Sequence, residues 1–248
     1  MASNFGNSEE LPIKTKNINK NQELSDFELS ELEYEEAVKL DKRNYFKIYY
    51  ATLQREHIIL FTFCSCNDYN LLYIKIVRFI VFVATDMAMN VFFFTDETMH
   101  KIFLSYGKYN FVQQIPQIVY STILSQILEV FLCYLSMTDK YIYQIKNSQL
   151  NSQQIMNIFR CINVKLINFF IFTFLLLCFY WYIVSCFCAV YKNPQIIFIK
   201  DSFSSFLLGI IYPVFIYLIP SGFRCCSIKS EKMKYKCLYK LSDIIPFF

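Results

Sequence analysis

Glycine is scarce in this chain, with four in 248 residues. That scarcity leaves no glycine-rich loop to cradle a phosphate, and no Gly-x-Ser-x-Gly elbow is present either. Histidine is rarer still. His57 and His100 are the two, and they fall on either side of the first long apolar run, so neither a histidine metal pair nor a His-based catalytic couple is expected. The stretch ahead of His57 has no apolar core, so no cleavable signal peptide is expected. Its acidic set, Glu9, Glu10, Glu23, Asp26, Glu28, Glu31 and Glu33, also argues against an organellar transit peptide. The chain is therefore expected to be non-catalytic and to need no cofactor.

What is plentiful is apolar. Hydrophobic residues make up 55% of the chain, and they gather in four runs: Leu71 to Phe94, Phe111 to Ser136, Leu166 to Tyr191 and Phe203 to Phe223. At 1.5 Å per helical residue, each is about long enough to cross a hydrocarbon layer of roughly 30 Å. A soluble helical core is the disfavoured alternative, because buried soluble helices of that length normally keep a charged face, and these runs do not. The expected class is an all-α membrane protein: a four-helix transmembrane bundle with amphipathic interfacial helices before span one and between spans one and two. The expected division is a disordered tail over 1–29, juxtamembrane helices over 30–66, the spans within 67–224 and a basic tail over 225–248.

Charge orients the bundle. All of the 24 Lys and Arg residues except Lys101, Lys108, Lys192 and Lys200 fall on one side or at its boundary if spans one and two, and three and four, form hairpins. The positive-inside tendency makes that side cytoplasmic, with both termini there, in a secretory-pathway or plasma membrane. The tail bearing Arg224, Lys229, Lys232, Lys234, Lys236 and Lys240 is expected to lie against anionic lipid headgroups, not nucleic acid. Cys225 and Cys226 beside it are candidate palmitoylation sites. The other cysteines suggest no metal: Cys64 and Cys66 precede span one, Cys186 and Cys188 end span three across the bilayer, and none lies in an outer loop.

Order is expected from Ser30, where Ser30 and Glu33 fit a capping box. Lys42 to His57 spaces Tyr45, Phe46, Tyr49, Tyr50 and Leu53 as one helical face, to lie on the inner leaflet or dock on a partner. Thr95, Asp96 and Glu97 open a short outer helix closed near Gly107, with an inert His100.

Ionisable groups inside the spans carry the most chemistry, because lipid makes them costly. Span two repeats Gln113, Gln117, Ser121, Ser125, Glu129 and Cys133 every four residues, a continuous stripe. Span one answers with Lys75, Arg78, Asp86 and Asn90. Counted along the helices, Asp86 lies about 12 Å and Ser121 about 15 Å from the outer boundary, against about 24 Å for Arg78 and about 27 Å for Glu129. Arg78 or Lys75 is therefore expected to pair with Glu129, and Asp86 and Asn90 with Ser121 and Gln117. Ser205 and Gly209 in span four invite close helix approach, and Pro213 and Pro220 a kink. The stripe reads as glue between helices, or as steps of a proton or cation route with Pro116 loosening span two. The first makes the protein a scaffold or anchor that associates with other proteins, as a homo- or hetero-oligomer; the alternative is a channel or transporter subunit.

Several segments resemble one family: Asp68-Tyr69-Asn70, Phe92-Phe93-Phe94 with Thr98-Met99-His100-Lys101-Ile102, Tyr109-Asn110-Phe111, Ile115-Pro116-Gln117, and Cys188-Ala189-Val190-Tyr191-Lys192-Asn193. Together they are similar to a large family of uncharacterised multi-pass membrane proteins of unicellular eukaryotes, over about Tyr45 to Arg224. The resemblance implies no activity and no site residues.

Overall fold

The computed structural model describes residues 24–64, 68–108, 110–147, 150–230 and 235–244. Among these, every regular element is helical. The helices Phe111–Ser136 (α7), Ser152–Val190 (α9) and Gln195–Ile216 (α10) lie in segments long and apolar enough to cross a membrane. Leu72–Phe92 (α5) qualifies only together with Asp96–Leu104 (α6), from which it is bent by 79°. The reason is chemical, since α5 carries Lys75, Arg78 and Asp86 within 21 residues. This is the profile of an integral membrane protein with three candidate spans, or four if the bent pair counts as one.

The pair bends where Asn90 and Val91 carbonyls accept from Phe93 and Phe94 in a tightened last turn. Thr95 then caps α6 by accepting from the Thr98 N–H. At its far end the Gly107 N–H reaches the Ile102 carbonyl, with φ of 73° at Gly107, a conformation that suits glycine. Phe94 packs against Phe187 and Phe198, so α6 and the α9–α10 turn share one end of the bundle, called here the loop end.

The core is organised around α5, which packs against α7, α9 and α10. Helix α9 meets it through Phe169, Thr173, Tyr180 and Phe187, buried at four- and seven-residue steps that make a narrow seam. Most of its other residues face outward, among them Trp181 and Tyr182. Helix α9 begins 14 residues ahead of the expected boundary at Leu166, capped by an Asn151–Gln154 box. Its 39 residues span about 58 Å, so about half of it extends beyond the hydrocarbon layer.

The opposite end, where the first and last described helices gather, is more structured than a pair of tails. It holds Asp26–Ser30 (α1), Tyr34–Leu40 (α2), Tyr45–Glu56 (α3), Ile58–Phe63 (α4), Asp139–Asn147 (α8), Leu218–Ser230 (α11) and Lys236–Ile244 (α12). Leu32, Tyr34, Ala37, Ile48, Cys225, Ile228 and Tyr239 form their shared core. Arg224 sits at its centre: it donates to Asp243 at 3.1 Å, to the Leu29 carbonyl at 3.0 Å and to the Tyr239 hydroxyl at 2.7 Å. Burial pushes the Tyr239 phenol above its ordinary range, against the pull of Arg224.

Several expectations are corrected here. The capping box is Ser25 with Glu28, not Ser30 with Glu33; Ser30 instead donates back to the Asp26 carbonyl within α1. Where it is described, the segment after the last apolar run is helical: α11 runs through it to Ser230, and α12 folds back on α11. Arg224 is buried, because a carboxylate, a carbonyl and a phenol surround it, and is withheld from lipid headgroups. Cys225 is buried in the same core and closed to acylation, whereas Cys226 is exposed. Of the tail expected to be disordered over 1–29, residues 24–29 are described and carry most of α1, with Phe27 buried; residues 1–23, Cys66, Lys232 and Lys234 lie outside the described residues.

Candidate functional site

Three helices bring their four-residue rows to one line. Helix α7 supplies Gln117, Ser121, Ser125 and Glu129; α5 supplies Asn90, Asp86, Phe82 and Arg78; α10 supplies Asp201, Ser205, Gly209 and Pro213. Residues four apart share a helix face, so rows facing each other meet layer by layer. Asp86, Asn90, Ser121, Ser125, Asp201 and Ser205 are each at most 1% exposed, which makes the line a buried polar seam.

At the loop end, Gln117 Nε2 donates to Asp201 Oδ2 at 3.4 Å. One turn deeper the Ser121 hydroxyl lies 3.1 Å from both Asn90 Oδ1 and Ser205 Oγ, and Thr122 Oγ1 is 2.9 Å from that same Ser205 oxygen. The Asn90 amide also donates to the Asp86 carbonyl at 2.8 Å. Ser205 donates to Asp86 Oδ1 at 3.4 Å, while Asp86 Oδ2 has no hydrogen-bond partner among the described residues. On the α9 side, Thr85 donates to the Tyr180 hydroxyl at 3.3 Å.

The next layer is filled by an aromatic ring, with the Gln126 amide beside it. A Cβ built on Gly209 would stand 3.2 Å from the Phe82 ring, 3.4 Å from Gln126 Nε2 and 3.7 Å from Asp86 Oδ2. The absent side chain lets Phe82 cross the seam, so the Asp86 layer and the layer below are divided by a phenyl ring.

Beyond it, Arg78 donates to Glu129 Oε1 from Nη2 at 2.5 Å and from Nε at 3.2 Å. Its guanidinium also lies over the Phe61 ring at 4.9 Å. Lys75 does not join the pair: its ammonium donates to Asp68 at 2.7 Å and sits over the same ring at 4.6 Å. Glu129, Arg78, Glu56, His57 and Tyr217 line a cavity of about 50 Å³, room for one or two water molecules. His57 Nε2 is 2.9 Å from the Ile210 carbonyl, and because a carbonyl only accepts, Nε2 carries the proton. Tyr49 and Tyr45 donate to the Val214 and Leu218 carbonyls at 2.8 and 3.2 Å. Three side chains from one helix and its cap thus follow one ridge of α10 and α11 through the break at Tyr217.

The structure therefore brings Arg78 to Glu129, and Asn90 to Ser121. It does not bring Asp86 to Ser121 or Gln117 as partners; Ser205 and Asp201 of α10 take those places. Gln113 is exposed, and Gln114 and Gln117 face inward instead. Asp201 falls in the gap between the third and fourth apolar runs, yet α10 starts at Gln195 and Asp201 is fully buried. The spacing Asp201, Ser205, Gly209 was the signal that could have found it.

Chemically, the seam can fasten helices through hydroxyl and amide bonds, and within it the Asp86 carboxyl accepts from the neutral Ser205 hydroxyl. Among the described residues no cluster of His, Cys, Asp or Glu has the makings of a metal site. Comparison with protein-family models, curated proteins and solved structures finds no match to this chain.

Proposed function

We propose that this chain is a four-span membrane anchor, with both termini on the cytoplasmic side, that holds a small helical platform at the membrane surface for other proteins. In this reading the platform is the core around Arg224 and Tyr239. Phe46 and Tyr50, 74% and 55% exposed, are the parts of α3 offered to the leaflet or a partner. The resemblance to uncharacterised multi-pass proteins agrees with such a role and names no reaction.

The observation that carries the anchor over the channel is the Phe82 layer. A conducting seam needs a hydrated path, whereas here a ring packed into the notch at Gly209 parts the Asp86 layer from the Arg78–Glu129 layer. The polar groups on each side spend their hydrogen bonds on neighbouring helices, as packing glue does. The test is flux. Purified protein reconstituted in vesicles should carry no proton or alkali-cation current above empty vesicles, and Asp86→Asn and Glu129→Gln should leave that baseline unmoved. A current that either substitution abolishes while the protein still inserts would replace the anchor with a transport subunit.

A further inference from the structure

On the surface that the spanning reading turns toward lipid, α7 and α10 leave a groove of about 450 Å³. Val119, Ile123, Ile127, Val130 and Leu208 make it apolar, and Gln126 and Tyr212 bring two polar groups into it. Neither the Gln126 amide nor the Tyr212 hydroxyl makes a hydrogen bond among the described residues. Unpaired polar groups in hydrocarbon cost free energy that an ordinary acyl chain cannot return, because methylene groups neither donate nor accept. A volume of this size lined by apolar side chains with a few convergent polar atoms has the build of a small-molecule site.

We propose that the groove binds a hydroxyl-bearing membrane lipid, with its apolar body along Val119, Ile123 and Ile127 and its hydroxyl between Gln126 and Tyr212. The occupant follows from the donors and acceptors. The Gln126 amide offers two N–H groups and a carbonyl, and the Tyr212 phenol one of each kind. An alcohol both donates and accepts and can meet either residue; an ether or hydrocarbon cannot do both. Depth agrees as well. Gln126 lies one turn of α7 toward the loop end from Glu129, so the lipid's hydroxyl sits just below the level of the Arg78–Glu129 pair. Gln126 and Tyr212 also line the small cavity beside that pair, which places the bound hydroxyl at the wall of the seam. A second copy's helix is the rival occupant, and a convex helix would have to fill a concave pocket from apolar flanks that free lipid already reaches.

The test uses the full chain in lipid nanodiscs with a photoactivatable, alkyne-tagged long-chain alcohol, its methyl ether as comparator, and peptide mapping of the crosslinks. The alcohol should label 119–130 of α7 or 208–212 of α10 at least about five-fold more than the ether, a factor equal to one ordinary hydrogen bond. Gln126→Leu should remove that preference, and Ile123→Trp should fill the groove and abolish labelling there. Ile171→Trp, on the exposed face of α9, should change nothing; unchanged thermal midpoints for all three show that the bundle is intact. Equal labelling by alcohol and ether, or even labelling of the outward faces of α7, α9 and α10, would overturn the site while leaving the spans standing. Crosslinks joining two copies through Ile123 would replace the lipid with a second chain. Absence of labelling on every helix would overturn the site and the spanning reading together, since the proposal rests on that reading.

Discussion

Removing the Arg78 guanidinium would strand Glu129, whose Oε2 already lacks a partner among the described residues, beside a cavity that no other described Lys or Arg lines. Breaking a buried pair from one side typically costs about 3 to 5 kcal/mol, whereas replacing both charges by apolar groups of like volume is often neutral. Arg78→Met is therefore expected to lower the unfolding free energy in detergent by that amount. Arg78→Met with Glu129→Leu should recover most of it, and chemical unfolding followed by circular dichroism checks both. At Gly209 the constraint is space. Gly209→Leu drives atoms into Phe82 and Asp86 and is expected to cost about 1 to 3 kcal/mol by overpacking, or to part α10 from α5. The Arg78–Glu129 pairing was legible from residue types and depth, because a helix rises by a constant amount per residue. The Ser205 contact to Asp86 was not: depth ranks residues along a helix but says nothing about which neighbour a face is turned toward.

Among elements, α3 matters beyond its length. Tyr49 and Tyr45 donate to backbone carbonyls of α10 and α11 beside the break at Tyr217, where Pro213 and Pro220 each remove an N–H from the ladder. Tyr49→Phe keeps the ring and deletes one bond, so it should cost about 1 kcal/mol and speed amide exchange in the α10–α11 segment, read by hydrogen exchange. The latch between α1 and α8 responds to acid. Burial raises the Glu28 carboxyl, but Lys146, the Ser25 N–H and the Tyr69 hydroxyl outweigh it and hold the carboxyl below its usual value. A carboxyl lowered by folding contributes stability above its unfolded range and loses it as pH falls through the lowered value. Exchange protection of α8 should therefore be constant near neutrality and fall below about pH 4. In Glu28→Gln that fall should be absent, with protection already low at pH 7. Helix α8 left little trace in the sequence, since its nine residues, Lys140 and Lys146 among them, fall outside every apolar run. The reach of α9 back to Ser152 was hidden for a related reason, because its first turns hold Ser, Gln, Asn and Arg and become helical through the cap and the packing of Ile162.

At the level of the whole molecule, the four apolar runs were plain because lipid demands length and composition that soluble helices do not. The platform at the termini was not, because its core joins Leu32 to Tyr239 across the whole chain, and such pairings have no local period to read. That makes the C-terminal helix a lock. Tyr239 is 3% exposed, holds the Arg224 guanidinium over its ring and donates to the Leu32 carbonyl at 2.6 Å. Tyr239→Ala should lower platform stability by about 3 kcal/mol and open Cys225 to thiol reagents while the spans stay inserted, a split that mass spectrometry of labelled peptides resolves.

If the seam is dry glue inside the proposed membrane anchor, water has no access to Ser125, and thiol labelling there measures this. In a cysteine-free background, Ser125→Cys changes one oxygen for sulfur at a residue with no exposed surface. Reacted in intact membranes with an impermeant thiol reagent, it should stay unlabelled for as long as Lys101→Cys, on exposed α6, takes to label fully. Labelling of Ser125→Cys at a rate within about ten-fold of Lys101→Cys, a gap of only about 1.4 kcal/mol in the barrier, would mean a hydrated cavity reaching Asp86 and would contradict the anchor.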